Sequence, residues 1–218
     1  MSRRAPGLRI HEIYRSIQGE ASFAGWPCTF VRTTGCDLRC SYCDEPHAFH
    51  GGKWLELGEI VREVAAQGAE LVELTGGEPL AQPAAPDLCL ALLDEGHRVL
   101  IETGGHRDIS VLDERVHVIL DMKAPGSGMD RHNDYENLDR LGDRGELKIV
   151  VGDESDYQWA RELIRGRGLE DRLAIHLSPV HGQLDPAILV RWMLRDELRA
   201  RLNLQLHKYI WGADAHGV

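Results

Sequence analysis

Residues 8–17 alternate apolar and polar side chains through Leu8, Arg9, Ile10, His11, Glu12 and Ile13, the two-residue period of a strand with one face on a core. Residues 28–33, Cys28-Thr29-Phe30-Val31-Arg32-Thr33, are mostly β-formers and predict a second strand. Over 57–67 the apolar positions Ile60, Val61, Val64 and Ala65 recur at helical spacing and stop at Gly68. Further strands are predicted over 70–75, 98–103, 116–121, 146–151 and 173–177, with a last short one over 203–206. Helical stripes cover 87–95, 157–165 (started near Ser155) and 187–198. The stretch 125–144 is rich in Gly, Asp, Asn and Arg and reads as a long structureless loop, a feature that is usually functional or disordered.

Strands alternating with helices give a parallel α/β sheet. The pattern holds about six core strands but only about three full helices between them, and a complete eightfold barrel needs roughly 250 residues. The expected fold is therefore a partial, open β/α barrel formed as one domain over residues 1–218. Its ligands belong at the C-terminal ends of the strands.

Composition narrows the setting. Hydrophobic residues make up 43% and charged ones 28% of 218 residues, enough for a substantial core. A formal net charge of −10 argues against nucleic acid as a bulk electrostatic partner. No apolar run approaches the roughly 20 residues that span a bilayer. Met1-Ser2-Arg3-Arg4-Ala5-Pro6 has positive charge with no apolar core behind it, so no secretory leader is expected. Five cysteines, three of them clustered, do not make a disulfide framework, and a reducing cytoplasmic setting is expected.

The clustered cysteines lie in Gly35-Cys36-Asp37-Leu38-Arg39-Cys40-Ser41-Tyr42-Cys43-Asp44, spaced C-x3-C-x2-C. Thiolates select zinc, Cu(I) or iron–sulfur clusters. A structural zinc site has four ligands, and only His47 or His50 stands ready to close one. Three thiolates alone suit a cubane cluster with one iron left open. Cys28 and Cys89 lie in apolar runs and read as packed thiols. The strand over 70–75 ends in Thr75-Gly76-Gly77-Glu78-Pro79. Its glycines expose backbone amides at a strand end, where a zwitterionic ligand can be gripped. Gly19 permits a tight turn that aims Gln18 and Glu20 at one place, or makes a polar surface turn. Arg32 suits a carboxylate ligand or an exposed pair with Glu20, Asp121 and Lys123 suit a local ion pair, and His207 suits packing.

The cysteine spacing, with Tyr42 just before the third Cys, resembles the radical S-adenosylmethionine (SAM) superfamily. The flanking motifs narrow the likeness: Ser16-Ile17-Gln18-Gly19-Glu20, Phe30-Val31-Arg32-Thr33-Thr34-Gly35-Cys36, Cys43-Asp44, Thr75-Gly76-Gly77-Glu78-Pro79, Glu102-Thr103-Gly104-Gly105, Leu147-Lys148-Ile149-Val150-Val151 and Gln205-Leu206-His207-Lys208 resemble the 7-carboxy-7-deazaguanine synthase family over nearly the whole chain. That family has a truncated barrel. The resemblance implies conversion of 6-carboxy-5,6,7,8-tetrahydropterin to 7-carboxy-7-deazaguanine with loss of ammonia, on the way to queuosine and other 7-deazapurines. It implies a [4Fe–4S] cluster, SAM and Mg²⁺, a one-electron donor of flavodoxin or ferredoxin type, and a homodimer.

By matching motif, Cys36, Cys40 and Cys43 ligate the cluster. Tyr42, Gly76, Gly77, Glu78, Thr103 and Lys123 bind SAM. Gln18, Gly19, Glu20, Arg32, Thr75, Glu102, His207 and Lys208 contact the pterin. Glu45 stands where part of the family has a threonine that supports Mg²⁺; it either ligates the ion or turns outward, since Pro46 restricts its backbone. No side chain is given a catalytic role beyond the chemistry of the cofactors. Two other readings share the cysteines. A glycyl-radical activase, also short and with an Asp-x-Lys segment like Asp121-Met122-Lys123, acts on a protein and lacks the paired Gln18-Gly19-Glu20 and Gln205-Leu206-His207-Lys208. A non-catalytic iron–sulfur or zinc protein leaves the Gly-Gly-Glu-Pro turn without a purpose.

Overall fold

The computed structural model describes residues 5–213 and 215–218. The basic stretch Met1-Ser2-Arg3-Arg4 lies outside the described residues. One sheet of nine strands runs in the order β3-β1-β2-β4-β5-β6-β7-β8-β9. The strands are β1 (Gly7–Ile17), β2 (Pro27–Thr33), β3 (Lys53–Glu56), β4 (Leu71–Gly76), β5 (Arg98–Thr103), β6 (His117–Met122), β7 (Gly145–Val151), β8 (Ala174–Pro179) and β9 (Arg201–Leu202). β1 is antiparallel to both β2 and β3. From β2 onward every pairing is parallel. The order ends at β3 and β9 without closing, so the barrel is open, as the strand count required.

Between the six core strands β2, β4, β5, β6, β7 and β8, three helices exceed ten residues or reach it: α1 (Leu57–Gln67), α2 (Ala85–Asp94) and α4 (Glu154–Gly166). α5 (Pro186–Arg195) follows β8. α1 ends at Gly68 in the left-handed conformation, and α4 starts at Asp153, whose carboxylate accepts from the Asp156 amide. No described helix is long and apolar enough to cross a membrane.

Three parts of the chain differ from the pattern reading. The loop 125–144 contains short turns at Pro125–Ser127 and Asp130–His132 and a helix α3 at Asn137–Leu141, buried through Leu138 and Leu141. The strand expected over 203–206 is instead Arg201–Leu202, and α6 (Leu206–Ile210) follows. Asn203 causes the change: its amide accepts from the Ala21 N–H at 2.7 Å and donates to Ser178 Oγ at 2.7 Å, which turns the chain off the sheet edge. β3 had no pattern signal, because two of its four residues are polar and the strand only covers an edge.

The two faces of the sheet are unlike. Val72, Leu74, Val99, Ile101, Val118 and Leu120 point to the main core, packed under the helices with Ile60, Val64, Leu88, Leu92 and Ile164. The alternate residues point inside the barrel. There Cys28, Phe30, Leu71, Leu100 and Ile119 form a small apolar plug. Two residues further along the strands the same inner face carries Arg32, Glu73, Glu102, Asp121 and Lys148, because side-chain direction repeats every second residue. The fold therefore sets a charged chamber on an apolar floor, opening at the C-terminal strand ends.

Candidate active site

One cavity at that end is lined by all three clustered cysteines and by every residue matched above to SAM or substrate. The cysteine loop leaves β2 through Gly35, at φ +100°, which only glycine adopts without strain. The loop is held at two points and braced by one bond within it. The Gly35 amide donates to the Ala48 carbonyl at 2.8 Å, the Ser41 hydroxyl to the Gly126 carbonyl at 2.7 Å, and the Cys43 amide to the Cys40 carbonyl at 3.2 Å. Cys36, Cys40 and Cys43 are free thiols, partly exposed into the cavity, and burial raises the pKa of each. Cys28 and Cys89 are fully buried, as the apolar runs around them predicted. Three thiols facing one open space, with no fourth thiol among the described residues to close it, fit a cluster that keeps one iron open. His47 is instead engaged with Glu45 at 2.8 Å.

The glycine turn after β4 is stitched to this loop. The Glu78 amide donates to the Gly35 carbonyl at 2.8 Å, and a Cβ on Gly77 would run into that same carbonyl. Glu78 itself is fully buried. Its carboxylate accepts from Thr103 Oγ1 at 2.8 Å, from the Gly104 amide at 2.8 Å and from the Leu80 amide at 2.9 Å. Glu78 thus ties the end of β5 to the turn and leaves Gly76 and Gly77 to face a ligand. Lys123 pairs with Asp121 at 3.1 Å; burial works against its charge, but Asp121, Cys40 and Tyr42 outweigh it and keep it protonated.

The remaining wall is a network of opposite charges. Lys148 Nζ lies 2.6 Å from Glu20, 2.7 Å from Glu102 and 3.5 Å from Asp121. Burial pushes Glu20 up, yet Lys148 outweighs it and the carboxyl ends below its ordinary value. Glu102 is pushed up to about 7 by burial, against the pull of Lys148. Glu73, which accepts from the Gln18 side-chain amide, is raised further by burial and by Glu102 and Glu20. Gln205 donates to Glu20 at 3.0 Å and to Asp44 at 2.9 Å, and Lys208 pairs with Asp44 at 3.0 Å. Gly19 passes so close to His207 that a Cβ would meet the ring nitrogen, and burial lowers the pKa of that histidine. Thr75 lines the same wall, and its carbonyl accepts from Thr33 Oγ1 at 3.1 Å.

Arg32 does not pair with Glu20. Its Nε donates to Glu12 at 2.8 Å, and its Nη2 donates to the Tyr14 hydroxyl at 3.0 Å and lies 3.1 Å from Glu45. Glu45 is neither outward nor free: Arg32 holds one carboxylate oxygen and His47 the other. Its surroundings are a guanidinium and imidazoles, a poor match to the all-oxygen shell that Mg²⁺ prefers. Lys148, Glu73, Asp44, Glu12 and Tyr14 had been given no role from the sequence. For Lys148 and Glu73 the signal was a single charge inside an apolar β run, Leu147-Lys148-Ile149 and Val72-Glu73-Leu74.

An open parallel barrel carrying three cysteines and a glycine turn at its strand ends defines a radical SAM protein. The family model described as "Radical SAM superfamily" matches residues 30–176. A 7-carboxy-7-deazaguanine synthase from Chlorobaculum tepidum is 50% identical to this chain over the whole of both, and one from Koribacter versatilis is 42% identical over 97% of this chain and 100% of its own. The crystal structure of QueE from Escherichia coli shares the fold, with TM-score 0.75 and 23% identity over 91% of this chain and 94% of that one. The chain belongs to the 7-carboxy-7-deazaguanine synthase family of radical SAM enzymes.

Proposed function

We propose that this chain, acting as a single domain over residues 1–218, converts 6-carboxy-5,6,7,8-tetrahydropterin to 7-carboxy-7-deazaguanine with loss of ammonia. The observation that carries this reading is one cavity lined both by the thiols and the glycine turn and by Gln18, Glu20, Lys148 and Arg32. Cys36, Cys40 and Cys43 would hold a [4Fe–4S] cluster, which would supply the one electron for reductive cleavage of SAM. Gly76 and Gly77 offer backbone to SAM, with Tyr42, Thr103 and Lys123 around them; Glu78 positions that turn. Gln18, Glu20, Glu102 and Thr75 supply donors and acceptors for the N–H-rich pterin ring, and His207 packed on Gly19 closes the pocket beside Lys208. Arg32 suits the substrate carboxylate because its fork binds both oxygens. In binding, that carboxylate replaces Glu45 on the guanidinium.

The donor set at Glu45 does not fit Mg²⁺, and no step is assigned to that ion. The electron donor is of flavodoxin or ferredoxin type, the active form is a homodimer, and the setting is the cytoplasm. The paired Gln18-Gly19-Glu20 and Gln205-Leu206-His207-Lys208 segments, which meet on one wall of the chamber, favour this reading over an activase acting on a protein. The test is anaerobic turnover of the carboxypterin with SAM and dithionite, read by mass spectrometry. Formation of the deazapurine acid with release of ammonia is expected; SAM cleavage without that product rejects the substrate assignment.

A further inference from the structure

At the rim of the cavity, Glu45, His47 and His216 bring one carboxylate oxygen and two imidazole nitrogens within 4.8 Å of one another. The two oxygens of Glu45 have separate duties. One faces Arg32 at 3.1 Å, while the other faces His47 Nε2 at 2.8 Å. The His47 and His216 rings meet edge to face, 4.5 Å between centroids. Apart from their mutual contact, that second oxygen of Glu45 and His47 Nε2 are shut off from solvent with no further hydrogen-bond partner. His11 also lies against His47, ring centroids 5.0 Å apart with the planes tilted, and is not one of the three clustered ligands.

We propose that Glu45, His47 and His216 bind a borderline divalent cation of the Zn²⁺ class, and that the ion clasps the C-terminal segment to the loop after the cysteines. Imidazole nitrogens with a carboxylate suit zinc and its neighbours in the first transition row, whereas Mg²⁺ asks for oxygen. Zinc bonds of about 2.0–2.2 Å put neighbouring ligands roughly 3.4 Å apart in a tetrahedron, a small adjustment from the observed spacing. Charge favours the ion as well. Glu12, Glu45 and Arg32 leave one net negative charge at the rim when the histidines are neutral. The backbone between Glu45 and His47 is held by Pro46, which opens a 3₁₀ turn ending at Phe49, so two ligands are set before the third arrives. His216 comes from the other end of the chain, where 215–218 line the cavity. A bound ion therefore couples metal occupancy to closure of the mouth.

The test uses cluster-loaded protein, so that the cysteines are filled. Equilibrium dialysis against Zn²⁺, with metals counted by plasma mass spectrometry, is expected to give one zinc per chain beyond the iron. His47→Ala and His216→Ala are each expected to weaken it by at least about tenfold with iron content and far-ultraviolet dichroism unchanged. His11→Ala retains the zinc, and millimolar Mg²⁺ does not displace it. Zinc slows amide exchange over 206–212 in the parent protein and not in His216→Ala. Zinc that tracks missing iron, survives both histidine variants, or yields to Mg²⁺ overturns the site; binding without the exchange effect overturns the clasp. None of these readouts depends on the pterin reaction.

Discussion

Lys148 on β7 lies 2.6 Å from Glu20, which sits beyond the end of β1 in a segment that Asn203 ties to Ser178 of β8. The pair ties that segment to β7, and the same ammonium serves Glu102 on β5 at 2.7 Å. It is the cation on which the acidic wall depends. Removing one member of a buried ionic group leaves the others uncompensated, at about 3–5 kcal/mol. Lys148→Met is expected to lose stability on that scale in urea denaturation and to lose carboxypterin binding. SAM cleavage without pterin should persist, because Lys148 does not touch the glycine turn. Unchanged pterin affinity would remove the residue from the substrate wall.

Glu102 gives a pH signature. Burial lifts its carboxyl to about 7 from an ordinary 4.5. A group whose pKa is higher in the folded than in the unfolded state favours folding fully below the unfolded value, and that contribution is lost as pH rises through the folded one. Between about pH 4.5 and pH 7 the protein should therefore lose stability relative to Glu102→Gln, with the steepest change at about 6 and a plateau above about 8. Paired denaturation curves across that window measure it. A constant difference between the two proteins would mean that Lys148 keeps Glu102 ionised throughout.

Glu78→Gln replaces an acceptor oxygen with a donor against Thr103 and Gly104, both of which already donate. One mismatched buried hydrogen bond costs roughly 1–3 kcal/mol. The variant should unfold at lower urea and bind SAM more weakly, since the turn that carries Gly76 and Gly77 comes loose from β5. Isothermal titration with SAM on cluster-loaded protein reads the second effect. A SAM affinity equal to that of the parent would show that the turn holds without this anchor.

Gly77→Ala tests the stitch between turn and cysteine loop. A Cβ there meets the Gly35 carbonyl, so the backbone next to Cys36 has to move. Iron retained after anaerobic reconstitution should fall. Gly166→Ala, where nothing lies within 4 Å at the end of α4, should keep full iron and serve as the control.

Cys28→Ala and Cys89→Ala should keep the full iron content and cost roughly 1 kcal/mol each, the worth of a small buried apolar group. Cys36→Ala, Cys40→Ala or Cys43→Ala should lose the cluster. Iron counted after anaerobic reconstitution decides between the two groups.

The sequence by itself determined what depends on neighbours in the chain. Runs of β-forming residues marked the six core strands, which are buried on both faces, and a repeat near 3.6 marked the four long helices. Cys36, Cys40 and Cys43 were readable because one loop carries all three thiols. The glycine turn was readable because only glycine leaves room for its backbone. What the sequence left open was decided by residues distant in the chain. Arg32 finds Glu12 and Glu45 rather than Glu20, because the antiparallel register sets Glu12 beside it. Glu78 turns inward because Thr103 and the Gly104 amide, from another strand end, need an acceptor there. The strand expected over 203–206 yields to Asn203, whose partners come from two distant segments, Glu20 and Ala21 after β1 and Ser178 on β8. Lys148 becomes the hinge of the acidic wall only when four parallel strands turn Glu73, Glu102, Asp121 and Lys148 into one chamber. A local period says which way a side chain points; only the packing of the sheet and its loops says what it meets.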